Sequence, residues 1–356
     1  ITTDLALSWL DSNASRKEPF FLMIHQKAPH RTQMPPVKYL DLFNEKEFVF
    51  PGTFYDDYKD KAALQRNKIS IANDLWIDYD SKVACDTCLA YKMNISKPVY
   101  YNNVMRRLNP EERKLWDKSY QKEYDEFAQI KIKDQLVKWQ YQRFMEDYLR
   151  CVQSIDDNVG KVLEYLAKNG LEENTIIIYT SDQGFFLGEH GLYDKRFMYE
   201  EAFRTPMMIR YPKKIKPERH IDQMVLNLDI APTLLDFAGI APPGDMQGVS
   251  MKDLLTKPRV KRWRKEIYYH YYENAYGVTP HYGIRTRQYK LIRFYGRIDS
   301  WELYDLKKDP GEMKNIYADP AYSRVTETLK RKLKGLRMKY KDDFPSEGSR
   351  SRETIL

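Results

Sequence analysis

Between about Val137 and Thr180 the chain passes from a helical apolar stripe to a buried strand with almost nothing in between. Tyr148, Val152, Ile155, Val159, Val162, Leu163 and Leu166 recur three or four residues apart, so they share one helix face. Asn169-Gly170 supplies the stop. Thr175 to Thr180 (TIIIYT) follows at once as a short strand with an apolar centre. PFFLMIH (Pro19 to His25) is a second such run, bounded by charged and turn residues as a buried parallel strand is, and Pro206 to Tyr211 is a third. Helix, buried strand, polar loop, helix is the pattern of a doubly wound sheet, so an α/β fold with a mostly parallel sheet flanked by helices is predicted.

Around that frame the sequence divides. ITTDLALSWLDSN reads as an amphipathic helix already under way, so the chain is expected to begin inside a domain. Residues from about 40 to 135 are charged and Tyr-rich with helical stretches, one starting at Pro110, and hold no clear strand; a helical insertion is expected there. After about Pro258 the character changes. Ile267 to Tyr272, Tyr282 to Thr286, Tyr289 to Tyr295 and Trp301 to Asp305 are short β-rich runs separated by turn residues, and a Lys/Arg-rich helix from about Tyr322 to Lys341 follows, with Val325, Leu329, Leu333 and Met338 as its packed face. The expected division is an α/β domain over 1–260 and a small antiparallel sheet with a terminal helix over 261–356.

With 42% hydrophobic and 31% charged residues among 356, the chain can bury a sizeable core and is not disordered throughout. The net charge of +8 suits an anionic partner without specifying one. No nucleic-acid partner is expected, and no apolar run is long enough to span a bilayer. Three cysteines are too few for a disulfide framework. Cys85 and Cys88 form a CDTC, but no His or Cys cluster supplies two further zinc ligands, and the flanking residues lack the strand and helix of a thioredoxin-type motif. Asn13-Ala14-Ser15 and Asn94-Ile95-Ser96 match the glycosylation acceptor pattern, which is too short to fix a compartment.

In open α/β sheets ligands sit at the carboxyl ends of strands. The strand ending at Thr180 delivers Ser181, Asp182, Gln183 and Gly184, where a carboxylate beside an amide oxygen can ligate a hard divalent cation or simply cap the strand in an Asx-type turn. The next residues place His190, Asp194, Lys195 and Arg196 in one Gly-punctuated loop. The run ending near His25 delivers His30 to the same rim of the predicted sheet. A proton donor at His30 and a fixed charge at Lys195, beside a metal held by Asp182 and Gln183, suit an anionic tetrahedral substrate, a sulfate or phosphate ester.

At these residues the chain resembles the type I sulfatases of the alkaline phosphatase superfamily. TIIIYTSDQGFFLGEHGLYDKRFMYEEAFRTPMMIRYP is similar to their second metal-binding segment, LDIAPTLLDFAGI (Leu228 to Ile240) to the helix that follows, and WELYDLKKDPGEMKNI (Trp301 to Ile316) to their C-terminal signature. PFFLMIHQKAPH adds an upstream match, and FYDDYKDKAALQRNKISI resembles bacterial polysaccharide sulfatases of the N-acetylglucosamine-6-sulfatase type. The resemblance implies that Asp182 and Gln183 are metal ligands, the second usually being Asn or His. It implies that Lys195 contacts the sulfate and that His30 lies near the leaving oxygen. His190 falls in the GEHG-type loop, ordering it or touching substrate, while Asp194, Arg196 and His281 are candidates for binding the sugar. It further implies Ca²⁺, with Mg²⁺ as the alternative, a formylglycine nucleophile, a sulfated glycan as partner, and a periplasmic or secreted location.

The departure from the family is local. No Cys-x-Pro/Ala-x-Arg or Ser-x-Pro-x-Arg nucleophile motif occurs, and Cys85, Cys88 and Cys151 all lack its Pro and Arg. The family's paired acidic ligands and the Lys/His pair beside the nucleophile are also missing, and all of these precede the first matched segment. The expectation is therefore the later part of a sulfatase acting on glycan sulfate esters, best the 6-O-sulfate of N-acetylglucosamine, inactive as this piece alone. The rivals are a phosphodiesterase or phosphonate hydrolase of the same superfamily, and a non-catalytic protein that binds sulfated glycan. The oligomeric state has no signature in the sequence.

Overall fold

The computed structural model describes residues 1–13, 17–83 and 98–344. Cys85, Cys88 and Asn94-Ile95-Ser96 lie outside them, as do Ala14 and Ser15 of the other acceptor site. In chain order the helices are α1 (Thr2–Asn13), α2 (Ile71–Asp74), α3 (Pro98–Met105), α4 (Pro110–Ser119), α5 (Gln121–Gln129), α6 (Lys133–Lys168), α7 (Glu200–Phe203), α8 (Ile230–Phe237), α9 (Lys252–Thr256) and α10 (Ser323–Lys339). The strands are β1 (Ile177–Thr180), β2 (Phe186–Leu187), β3 (Tyr193–Asp194), β4 (Met207–Arg210), β5 (Glu266–Tyr271), β6 (His281–Thr286), β7 (Tyr289–Phe294) and β8 (Ser300–Asp305). The chain folds as two compact units that interleave in sequence. One takes residues 1–54, 69–175 and 187–194, the other 55–68, 176–186 and everything from 195 onward.

The first unit is helical. Its axis is α6, 36 residues long, or about 54 Å at 1.5 Å per residue. Ile155 and Leu166 of the expected stripe are buried, but Leu163 is exposed, and the amino-terminal half of the helix buries charge beside Leu136, Tyr141 and Phe144. Asp147 receives Lys82 Nζ at 2.8 Å, Arg150 Nη1 at 3.0 Å and the Tyr120 hydroxyl, while Arg143 spans Glu123 at 3.0 Å and Asp147 at 3.3 Å. Burial alone would raise the Asp147 pKa, yet Lys82, Arg143 and Arg150 hold it well below the usual carboxylate range. Helices α2 to α5 fill the expected insertion. Asn109 starts α4 with a reciprocal cap: its side chain accepts from Glu112 N–H, and Glu112 accepts from Asn109 N–H, both at 2.9 Å, with Pro110 at the first helical position.

PFFLMIH differs from its expectation. It is extended but carries no ladder among the described residues, and Phe21 and Met23 are 68% and 59% exposed while Phe20, Leu22 and Ile24 are half-buried. A two-sided apolar run has the composition of a buried strand, and here only alternate side chains are covered.

In the second unit β1 and β4 lie where expected but pair antiparallel, Ile177 opposite Arg210 and Thr180 opposite Met207. Antiparallel pairs do occur at the edges of doubly wound sheets. The carboxy-terminal sheet has the order β5-β6-β7-β8, all antiparallel, and each strand starts and ends within one residue of its expected run. Ile284, Leu291 and Leu303 from its strands pack against Leu329 and Leu333 of α10, where Met338 is exposed. A polar core lies in the same unit. Tyr199 and Tyr304 donate to one oxygen of buried Glu302, at 2.6 and 2.8 Å, and buried Lys290 reaches Glu312 at 2.8 Å and Glu200 at 2.9 Å. Burial pushes Glu302 up to about 7, whereas Glu200, although burial opposes it, is drawn down to about 2 by Lys290 and Arg285.

Candidate active site

In the second unit β1 ends on the turn Ser181-Asp182-Gln183-Gly184, and the turn is fixed by what surrounds it. Gly184 N–H donates to the Ala202 carbonyl at 3.0 Å, and a Cβ at Gly184 would lie 2.1 Å from the Glu201 carbonyl oxygen, so no larger residue fits. Asn227 Nδ2 donates to the Asp182 carbonyl at 2.9 Å. Asp182 Oδ1 accepts weakly from Gln183 N–H, 3.2 Å, and from Ser181 Oγ, 3.3 Å. The carboxylate is exposed, and the two bonds it accepts are those of an Asx-type turn cap. Carboxylate and amide oxygens fit a hard cation, but two donors fall short of the six to eight that Ca²⁺ takes. No group of three or more His, Cys, Asp or Glu placed to hold a metal exists among the described residues.

The same unit holds Lys195, Arg196 and His281. Lys195 Nζ lies 5.9 Å from the Phe185 ring centroid. Arg196 has φ 95°, stacks its guanidinium 4.1 Å from the Tyr276 ring centroid, and accepts at its carbonyl from the Tyr269 hydroxyl at 3.3 Å. His281 opens β6 and is fully buried, with Phe197, Tyr269, Tyr271 and Phe294 around its ring. Its Nδ1 is 2.8 Å from the Thr279 carbonyl, which can only accept, so Nδ1 carries the proton. Nε2 has no hydrogen-bond partner among the described residues. Burial lowers the His281 pKa to about 4, keeping the ring neutral. Arg196 and His281 are thus brought together through the Tyr269 and Tyr271 wall.

The remaining candidates belong to the first unit. His30 is exposed at the end of a turn in which its N–H donates to the Lys27 carbonyl, and its Nδ1 is 2.8 Å from the Arg31 carbonyl. His190 is fully buried with φ 53°, and its N–H donates to Thr53 Oγ1 at 3.2 Å, a geometry that orders the loop. Gly188, at φ 103°, approaches so closely that a Cβ would meet the Tyr141 ring at 2.6 Å. Asp194 is buried with φ 75°. Sequence reasoning passed over Arg31. It forms a two-pronged pair with buried Asp80, one arm at 2.7 Å, and its guanidinium lies 5.0 Å from the Trp76 ring and 5.1 Å from that of Tyr193. No spacing rule joins residues 31, 76, 80 and 193; only the His-Arg pair at the loop end hinted at it. Cys151 is buried and outside any disulfide, and burial pushes its thiol up to about 12, which disfavours the reactive thiolate.

A sulfatase family model matches residues 1–240, and a model of the N-sulphoglucosamine sulphohydrolase C-terminal region matches residues 188–339. The chain is 43% identical over 362 aligned residues to an N-acetylglucosamine-6-O-sulfatase of Bacteroides thetaiotaomicron, covering all of this chain and 63% of that protein. An arylsulfatase of Clostridium perfringens is 32% identical over 189 residues, covering 52% of this chain and 38% of that one. The chain therefore spans less than two thirds of the length of these relatives. The structure of BT4656 in complex with its substrate D-glucosamine-2-N,6-O-disulfate superposes with a TM-score of 0.90 at 43% identity, over 98% of this chain and 71% of that one. A phosphonate monoester hydrolase from Silicibacter pomeroyi superposes at 0.68 with 19% identity, over 99% of this chain and 64% of that one, and shares the fold. With an alkaline phosphatase-like fold and a sulfatase family model covering residues 1–240, this chain belongs to the sulfatase family.

Proposed function

We propose that the protein containing this chain hydrolyses sulfate esters of glycans, with the 6-O-sulfate of an N-acetylglucosamine unit as its target, in the periplasm or outside the cell. The observation that carries this reading is the match, at 43% identity over the whole of this chain and 63% of the relative, to an N-acetylglucosamine-6-O-sulfatase. A location away from the cytoplasm follows from the family and from the target, a glycan; no helix among the described residues is long and apolar enough to cross a membrane.

Asp182 and Gln183 would supply two oxygen ligands to a hard divalent cation, Ca²⁺ or alternatively Mg²⁺ rather than zinc, with the family's paired acidic ligands completing the set. Bound there, the ion supplies Lewis acidity toward a sulfate oxygen, and the family's formylglycine supplies the nucleophile from a motif these 356 residues do not contain. Lys195 offers a point charge to the sulfate oxygens, where negative charge grows as the ester bond breaks. His30 keeps its Nδ1 proton on the Arg31 carbonyl, so the proton it delivers to the departing sugar oxygen sits on Nε2. Asp194 and Arg196 accept from and donate to sugar hydroxyls, and His281 turns its acceptor nitrogen to the same recognition task. His190 orders the loop that carries them.

The test is sulfate release by the full-length protein from N-acetylglucosamine-6-sulfate, beside phenyl phosphonate and a phosphodiester at matched concentration. Preference for the sugar sulfate by orders of magnitude is expected. A preference for either phosphorus substrate would replace this reading with the phosphonate hydrolase or phosphodiesterase one, and binding without turnover would make the protein a glycan binder.

A further inference from the structure

Tyr276 occupies a backbone position that disfavours bulky residues. Ala275 to Val278 form a tight turn closed by Val278 N–H donating to the Ala275 carbonyl at 2.9 Å, and both central residues have positive φ, 55° at Tyr276 and 72° at Gly277. That is the pattern of a type I′ turn, whose preferred pair is Asn-Gly. The glycine has a steric reason, since a Cβ there would lie 2.5 Å from the Arg66 carbonyl oxygen. The tyrosine has no such reason, because Asn tolerates the left-handed region far better than an aromatic residue does. Nor does the ring fill a core, being 57% exposed. The backbone is nevertheless pinned: Lys68 N–H donates to the Tyr276 carbonyl at 2.9 Å.

The ring carries the guanidinium of Arg196, 4.1 Å from its centroid. Arg196 is itself in the left-handed region at φ 95°, and its carbonyl is held by the Tyr269 hydroxyl. Two non-glycine residues with unfavourable backbones meet ring to guanidinium, and local backbone cost of this kind persists where a side chain must be aimed. A guanidinium over an aromatic face keeps its plane, and its N–H fork then points in fixed directions.

We propose that Tyr276 is a positioning residue for sugar recognition: it sets the plane of Arg196 so that the N–H fork meets hydroxyls of the pyranose that bears the sulfate. The proposal rests on the reading above that Arg196 binds the sugar. It is tested by kcat and KM of the full-length protein on N-acetylglucosamine-6-sulfate, with Tyr276→Asn, Tyr276→Phe and Arg196→Ala singly, and with Tyr276→Asn and Arg196→Ala combined. Tyr276→Asn suits the turn, so its Tm stays equal to wild type or rises, while KM rises about tenfold and kcat changes little. Tyr276→Phe keeps KM within about twofold, and adding Tyr276→Asn to Arg196→Ala costs less than about twofold more. An unchanged KM in Tyr276→Asn, an equal loss in Tyr276→Phe, or losses that multiply in the double variant would each overturn the proposal. If Arg196→Ala leaves sugar turnover unchanged, the reading of Arg196 fails and takes the proposal with it; if Arg196→Ala impairs turnover and Tyr276→Asn does not, the proposal alone fails.

Discussion

Lys195 and His30 carry different parts of the proposed chemistry, and their removal should be distinguishable. Lys195→Ala removes charge that matters most as the ester bond breaks, so kcat should fall by about 10² to 10³ with a smaller change in KM. His30→Ala should fall by about 10² on a sugar sulfate, and much less on an aryl sulfate whose leaving oxygen needs no proton. Equal losses on both substrates would remove the acid role from His30. Glu302 allows a test of stability. Its folded pKa of about 7 stands above the unfolded value near 4.3. Its contribution is therefore fully present below about pH 4.3 and is lost as pH rises through 7. Glu302→Gln should flatten the decline across that window by up to about 1.4 kcal/mol per pH unit, read from urea midpoints at several pH values. Glu146, also raised to about 7 by burial, and the lowered His270 and His281 still titrate in both proteins and cancel in the difference, which reports Glu302 together with its raised neighbour Glu312. The place of Asp182 in the turn that closes β1 was legible in the sequence because strand ends announce their loops. The Arg31 pair with Asp80 and the Tyr199 bond to Glu302 were not, since each joins residues tens of positions apart that no periodicity relates.

Among the elements, the carboxy-terminal sheet was the most readable. Alternating apolar residues and turn residues at short intervals leave little choice of register, and the strands lie within one residue of expectation. The start of α4 was readable from Pro110, and its cap can be measured. Asn109→Ala should cost about 1 kcal/mol locally, seen as roughly fivefold faster amide exchange in the first turn of α4 with the sheet unaffected. The long helix was legible as a helix but not in what it buries. An apolar stripe finds Ile155 and Leu166, whereas Asp147, Arg143 and Arg150 enter the interior because each supplies the other's counter-charge. PFFLMIH shows the opposite failure, a strand-like composition whose backbone pairing composition cannot supply.

For the molecule as a whole, the family was legible from three long motifs, and the fold came with it. The net charge of +8 stayed uninformative alone. Combined with the proposed anionic sulfated substrate it yields an expectation: KM for a sulfated sugar should rise severalfold between about 10 and 300 mM salt as screening shortens from about 30 Å to below 10 Å, with kcat nearly constant. A KM indifferent to salt would confine recognition to short-range contacts.

The interleaving of the two units also bears on how the chain is made. Residues 55–68 belong with partners that begin at residue 176, and residues 187–194 complete a unit whose first segment ends at residue 54. At ribosomal speeds of about 5 to 20 residues per second, the early segment emerges many seconds before its partners exist. During that interval Ala63 and Leu64, both buried in the folded chain, lack the unit-mates that follow residue 175. Synthesis rate and chaperone supply, more than final stability, should therefore set the yield of folded protein, and slowing translation just after residue 68 should lower it.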